Sequence, residues 1–121
     1  MQKQDWRAAL VARHRHRFAV ETAVRVPEGW RGLTEAMVRE IDNALSPEER
    51  FVILSIHKAR GQLAMISDGC LGTSTLAYRL YLAAVELSKH RCEVCGKSGD
   101  PVLVGNGTEI RCYEHREAND G

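Results

Sequence analysis

The chain is poor in several things, and each shortage removes a class of protein. Only three of its 121 residues are proline and only 6% are aromatic, so it can fill one modest core rather than two. No apolar run approaches the roughly 20 residues needed to cross a bilayer; Phe51-Val52-Ile53-Leu54 is typical of what is there. The start, Met1-Gln2-Lys3-Gln4-Asp5, has no apolar stretch after a basic residue, so a secretory leader is not expected. Repeats and low-complexity linkers are absent, and the expected compartment is the cytoplasm of a bacterial host cell, with no membrane partner. A strong net charge is missing as well, the balance being +1. It is uneven, however. Residues 1–31 hold seven Lys or Arg against three Asp or Glu, a net of +4, and the remaining ninety residues carry a net of −3. Attraction to nucleic acid or to an acidic protein would begin at the N-terminal end.

Cysteine is scarce but concentrated. Three of the four cysteines fall in one pattern, Cys92-Glu93-Val94-Cys95-Gly96 followed by Cys112-Tyr113-Glu114-His115. Sixteen residues separate the C-x2-C pair from the C-x2-H pair, which is the spacing of structural zinc sites. Two residues between ligands let a tight turn aim both side chains at one point. The insert is long enough for a hairpin: Val102-Leu103-Val104 and Thr108-Glu109-Ile110 flank Gly105-Asn106-Gly107, whose Asn-Gly pair suits a tight reversal. Gly96 permits a sharp turn with backbone N–H groups facing thiolate sulfur. Cys92, Cys95, Cys112 and His115 are therefore expected to hold a structural Zn2+ in a zinc ribbon. His90 is the competing fourth ligand, disfavoured by its place two residues before Cys92, and a disulfide or free thiols are the plain alternative. Cys70 stands apart and is expected to be an ordinary packed or loop cysteine.

Along the chain, residues 5–17 read as a helix capped by Asp5 and ending in the basic turn Arg13-His14-Arg15-His16-Arg17. An extended segment, 19–26, precedes Pro27. Residues 29–45 form the clearest amphipathic helix, with Trp30, Leu33, Met37, Ile41 and Leu45 on one side. Ser46-Pro47-Glu48-Glu49 has the form of a capping box, but the β-rich residues 51–56 and 62–67 around Lys58-Ala59-Arg60-Gly61 favour a hairpin with at most one helical turn before it. Asp68 to Gly72 is a loop, and Thr73-Ser74 can cap a third helix running to Lys89. That helix is apolar around most of its circumference and is expected to be a buried central rod. The fold class expected is α+β, with helices packed on a small antiparallel hairpin or sheet and a C-terminal zinc ribbon. The chain is taken as one domain: a body over 1–89, a ribbon over 90–116 and a frayed polar tail over 117–121.

The order Gly29-Trp30, Ile56-His57-Lys58-Ala59-Arg60-Gly61-Gln62-Leu63, Ser88 through Gly96 and the closing Cys112 to His115 resembles a family of small, largely uncharacterised zinc-ribbon proteins from bacteria and their phages. The ligands match one for one. The middle departs, with Ala59, Gln62 and Ala64 where that family has charge or glycine. The resemblance implies a phage or prophage connection and no particular chemistry.

Three functions fit these features. The first is a non-enzymatic zinc-binding interaction protein that blocks a host or phage protein by occupancy, for instance a host-defence machine such as a CRISPR complex. The second is a nucleic-acid-binding ribbon, for which Arg13, Arg15, Arg17, Lys58 and Arg60 are the candidate contacts. Against it, Lys89 to Gly121 holds five basic and six acidic residues, whereas a phosphate-binding ribbon should be basic. The third is an HNH-like nuclease, which needs histidines that the insert from Gly96 to Arg111 does not contain.

Overall fold

The computed structural model describes residues 5–69, 75–105 and 107–118. Its elements run α1 (Trp6–Arg13), a 3-10 turn (Arg15–Arg17), β1 (Phe18–Arg25), a second 3-10 turn (Glu28–Trp30), α2 (Arg31–Ala44), β2 (Phe51–Ala59), β3 (Gln62–Gly69), α3 (Thr75–Ser88), β4 (Asp100–Val104), β5 (Gly107–Arg111) and α4 (Tyr113–Ala118). The expected α+β class holds, with helices against a small sheet and a separate C-terminal hairpin.

The β2–β3 hairpin is the centre of the body. Arg60 (φ 56°) and Gly61 (φ 77°) form its reversal, and two successive positive-φ residues are what a two-residue turn needs to match strand twist. Ile56 pairs with Met65, Lys58 with Leu63 and Ala59 with Gln62. The sheet has a third strand that periodicity could not place: β1 lies parallel to β2, with Val24 beside Ile56 and Arg25 beside His57, and α2 is carried in the crossover. One core results, in which Phe51, Ile53, Ile56 and Leu63 from the sheet meet Met37, Val38 and Ile41 of α2 and Ala84 and Val85 of α3. Trp6 and Leu10 of α1 and Trp30 close it on the N-terminal side.

Several sequence expectations are corrected. The first helix stops at Arg13, because His14 leaves helical geometry (φ −121°, ψ 42°) and the chain tightens into the 3-10 turn that feeds β1. Asp5 makes no side-chain cap; its carboxylate accepts from Arg7 Nη1 at 3.0 Å instead. Gly29 and Trp30 sit in a 3-10 turn rather than in α2. As the β-rich residues favoured, after Pro47 there is a turn and no helix, and half of the capping box forms, the Ser46 N–H donating to Glu49 Oε1 at 2.8 Å. Helix α3 is not buried all round: it packs on α2 and β3, while Leu76, Tyr78, Leu82 and Leu87 are exposed. Asp68 and Gly69 extend β3, and Glu117 and Ala118 belong to α4 rather than to a frayed tail. Cys70, the Thr73-Ser74 cap, Asn106 of the hairpin turn and the last three residues lie outside the described residues.

Candidate metal centre

The four residues of the spaced motif come together. Cys92, Cys95, Cys112 and His115 each offer one ligand atom, and all four atoms lie within 4.8 Å of one another. Cys95 Sγ is 3.7 Å from Cys112 Sγ, too far for a disulfide, and the cysteines of the cluster are free. His115 Nδ1 lies 3.1 Å from Cys112 Sγ and 3.4 Å from Cys92 Sγ. A zinc tetrahedron with Zn–S of about 2.3 Å and Zn–N of about 2.0 Å has S–S edges near 3.8 Å and S–N edges near 3.5 Å. The donor set fits a metal ion in size and in chemistry. His90, the competing ligand, is exposed, and its backbone carbonyl accepts from the Gly99 N–H at 2.9 Å.

Local structure explains the convergence. The first pair sits in a knuckle closed by Gly96 N–H to Cys92 O (2.9 Å) and Cys92 N–H to Lys97 O (2.7 Å), with the Val94 N–H directed at Cys92 Sγ at 3.4 Å. Gly96 has φ 83°, so a side chain there would be strained as well as pressed against the Gly29 carbonyl. The hairpin β4–β5, from Asp100 opposite Arg111 to Val104 opposite Gly107, returns the chain to the knuckle. Cys112 follows β5 directly, and the Arg116 N–H donates to Cys112 O at 2.9 Å, opening α4 so that His115 stands one turn on from Cys112.

The cluster is electrostatically incomplete by itself. Burial alone would push the Cys92 thiol up, but backbone N–H groups of Cys112, Cys95 and Val94 overcome this and hold it at about 6. Cys95 is pushed the other way: the Lys97 N–H favours its thiolate, yet burial and the adjoining sulfurs of Cys112 and Cys92 outweigh it. Three sulfurs this close cannot all ionise without a cation among them.

The knuckle is docked on the body by contacts the sequence did not announce. Gly29 donates its N–H to Glu93 O at 2.7 Å, and Trp30 Nε1 donates to Arg91 O at 2.9 Å. A β-carbon on Gly29 would collide with the backbone carbonyls of Cys92 and Glu93. Glu93, between the paired cysteines, is only 8% exposed. It accepts from Lys58 Nζ at 2.9 Å and from the Ile110 N–H at 2.8 Å, tying knuckle, β2 and β5 together. Ser88, four residues before Cys92, is fully buried and takes the Leu63 N–H on its hydroxyl at 2.9 Å. Gly29, Trp30, Lys58 and Glu93 thus hold the knuckle on the body at one junction.

The cations singled out for partner contact divide. Lys58 is engaged with Glu93. Arg17, 4% exposed, donates to Asp42 Oδ1 (3.0 Å), Glu49 O (2.8 Å) and Ser46 O (2.9 Å). Arg15 is exposed but reaches back to the carbonyls of Phe18 and Ala19. Arg13 and Arg60 are exposed. His14 and His16 converge on Asp42, with His14 Nδ1 2.8 Å from Oδ2 and His16 Nε2 2.9 Å from Oδ1. His57 is elsewhere, its Nδ1 2.8 Å from Ser55 Oγ.

No helix among the described residues is long and apolar enough to cross a membrane. The chain matches no protein-family model, no curated protein and no solved structure.

Proposed function

We propose that Cys92, Cys95, Cys112 and His115 bind one structural zinc ion that fixes a C-terminal ribbon to the helical body, and that the protein is a non-enzymatic interaction module. The observation that carries this is the closed donor set: four protein ligand atoms within 4.8 Å of each other. A catalytic zinc usually keeps three protein ligands and an open position, whereas four leave none for water or substrate. Thiolates select zinc over the hard cations. When bound, the metal supplies positive charge to sulfurs that cannot otherwise share the space.

The partner is proposed to be a protein. The ribbon is nearly charge-balanced, and two of the five cations considered for phosphate contact, Arg17 and Lys58, are committed inside the fold. A phage origin rests on the family resemblance alone, and a target in host defence is the sharpest version of this reading.

Two measurements test it. Metal analysis of protein purified without added zinc should give about one equivalent per chain, and Co2+ substitution should give the intense d–d absorption of a tetrahedral site with thiolate charge-transfer bands. A sub-stoichiometric metal content, or a His115→Ala variant with unaltered cobalt spectrum, defeats the metal assignment. Affinity capture from host lysate, with and without nuclease, tests the module reading. A partner lost on nuclease treatment would point instead to nucleic acid, with Arg13, Arg15 and Arg60 as the first residues to change.

A further inference from the structure

Helix α3 carries more apolar side chain than the body covers. Its inner face turns Ala77, Ala84, Val85 and Ser88 into the fold. Its outer face leaves Leu76 at 52% and Leu87 at 44% exposure. Leu76, Leu80, Ala83 and Leu87 succeed one another at intervals of four, three and four, the d-a-d-a alternation of a coiled-coil seam. In that register both e positions are small and buried, Ala77 and Ala84, so the body occupies the e flank. The g positions are Arg79 and Glu86, both exposed, with Glu86 Oε2 already 2.9 Å from Lys89 Nζ just past the helix end. Three seam residues, Leu80, Ala83 and Leu87, themselves line an open groove of about 150 Å³ between α2 and α3, facing Leu33, Met37 and Glu40 of α2, and Leu80 is partly packed on the core.

We propose that this face joins two copies of the chain about a two-fold axis that sets their α3 helices antiparallel. The charge pattern selects both the occupant and its direction. Antiparallel helices bring g against g, so Arg79 meets the partner's Glu86 and Glu86 meets the partner's Arg79. The same axis lays Leu76 over the partner's Leu87 and Leu80 over the partner's Ala83, whose small side chain admits the leucine. A parallel pair would instead set Arg79 against the small Ala84 and leave it without a cross-helix acid. A seam along a 14-residue helix is about 21 Å long, so the α2 wall of the groove must contribute to reach even the low end of stable interfaces, roughly 1,200 Å² in total. The dimer is therefore concentration-dependent. The inference is independent of the metal assignment and of any outside partner.

Sedimentation equilibrium of the full chain tests it. At roughly 100 µM, where an interface of this size is populated, the mass should be twice 13.5 kDa and should fall on dilution. Leu76→Glu with Leu87→Glu should give a monomer with an unchanged circular dichroism spectrum. Arg79→Glu or Glu86→Arg alone sets like charges together twice per dimer and should raise the dissociation constant roughly tenfold. The two reversals combined should restore it to within about threefold, and this cycle reads the register even if the double leucine variant folds poorly. A chain that stays monomeric at that concentration overturns the proposal and leaves the face to a helix of another protein. A dimer indifferent to all three charge variants also overturns it.

Discussion

Two polar junctions hold this molecule together, and they are built on opposite electrostatic terms. Around Asp42, a single carboxylate receives His14, His16 and the buried Arg17, which also satisfies two carbonyls of the turn after α2. That junction carries its own counter-charge and is complete in the polypeptide. Around Cys92 the reverse holds: three sulfurs and an imidazole face one another with no counter-charge among them, an arrangement that a metal ion could complete. The first junction fixes the entry to β1 against the end of α2; the second fixes the ribbon to Gly29, Trp30 and Lys58. With the proposed metal bound, the fold is closed at one end by internal ion pairing and at the other by the ion, and the two ends should respond to different insults.

The largest effect should separate the ends most clearly. Chelation of the metal, or Cys112→Ser, should collapse the ribbon, since structural zinc is worth roughly 10–16 kcal/mol in small peptides. Hydrogen exchange should show protection lost first at the knuckle and in β5, with the amides of α2 and β2 the last to go. Equal thermal stability with and without metal would erase the contrast between the junctions.

Asp42→Ala attacks the other end. It strands the Arg17 guanidinium, 4% exposed, without its carboxylate, and breaking such a pair costs roughly 3–5 kcal/mol. Denaturant titration should read this loss, while zinc stoichiometry stays at one. Gly29→Ala probes the seam between body and ribbon. Its methyl would have to displace the carbonyls of Cys92 and Glu93, so the knuckle must shift or lift off, at a cost of roughly 2–3 kcal/mol. A cobalt derivative of this variant should report whether the ligand geometry survives; no change in stability would mean the seam is looser than these contacts require.

How much of this was readable from the chain differs by junction for a physical reason. The Cys3His cluster announces itself because two-residue spacings are local chelates, and the hairpin between the pairs is local too. The β2–β3 hairpin was legible through the turn signal of Lys58-Ala59-Arg60-Gly61 for the same reason, although Lys58 and Ala59 belong to β2 and only Arg60 and Gly61 form the reversal. The Asp42 junction was not, because its members come from 14 to 17, from 42 and from 46 to 49 and are joined only once β1 pairs with β2 through a parallel crossover. Parallel pairing leaves no turn signature in sequence. Periodicity also misjudged α3. An all-round apolar helix reads as buried, yet the body supplies cover for one side only, and Leu76 and Leu87 remain outside. Glu93 was passed over as a spacer between cysteines, although burial among Lys58 and the Ile110 N–H makes it the residue that fastens the knuckle.

Acid gives the smallest effect and the finest discrimination between the junctions. Burial alone would raise the Asp42 carboxyl, but hydrogen bonds from His14, Arg17 and His16 outweigh it and lower its pKa from 3.8 to about 2. A carboxyl whose folded pKa lies below its unfolded one binds protons more readily when unfolded, so its contribution is fully present above about pH 4 and is lost as the pH falls toward 2. A shift of this size amounts to at most about 2 kcal/mol. The metal end yields earlier in the same titration, because protons compete with the metal for thiolate and imidazole. Two stages should therefore appear on acidification: metal release with loss of ribbon structure first, then destabilisation of the body between about pH 4 and 2. In Asp42→Asn the second stage should vanish while the first remains, and a wild-type acid profile with a single step common to metal release and body unfolding would show that the two junctions act as one.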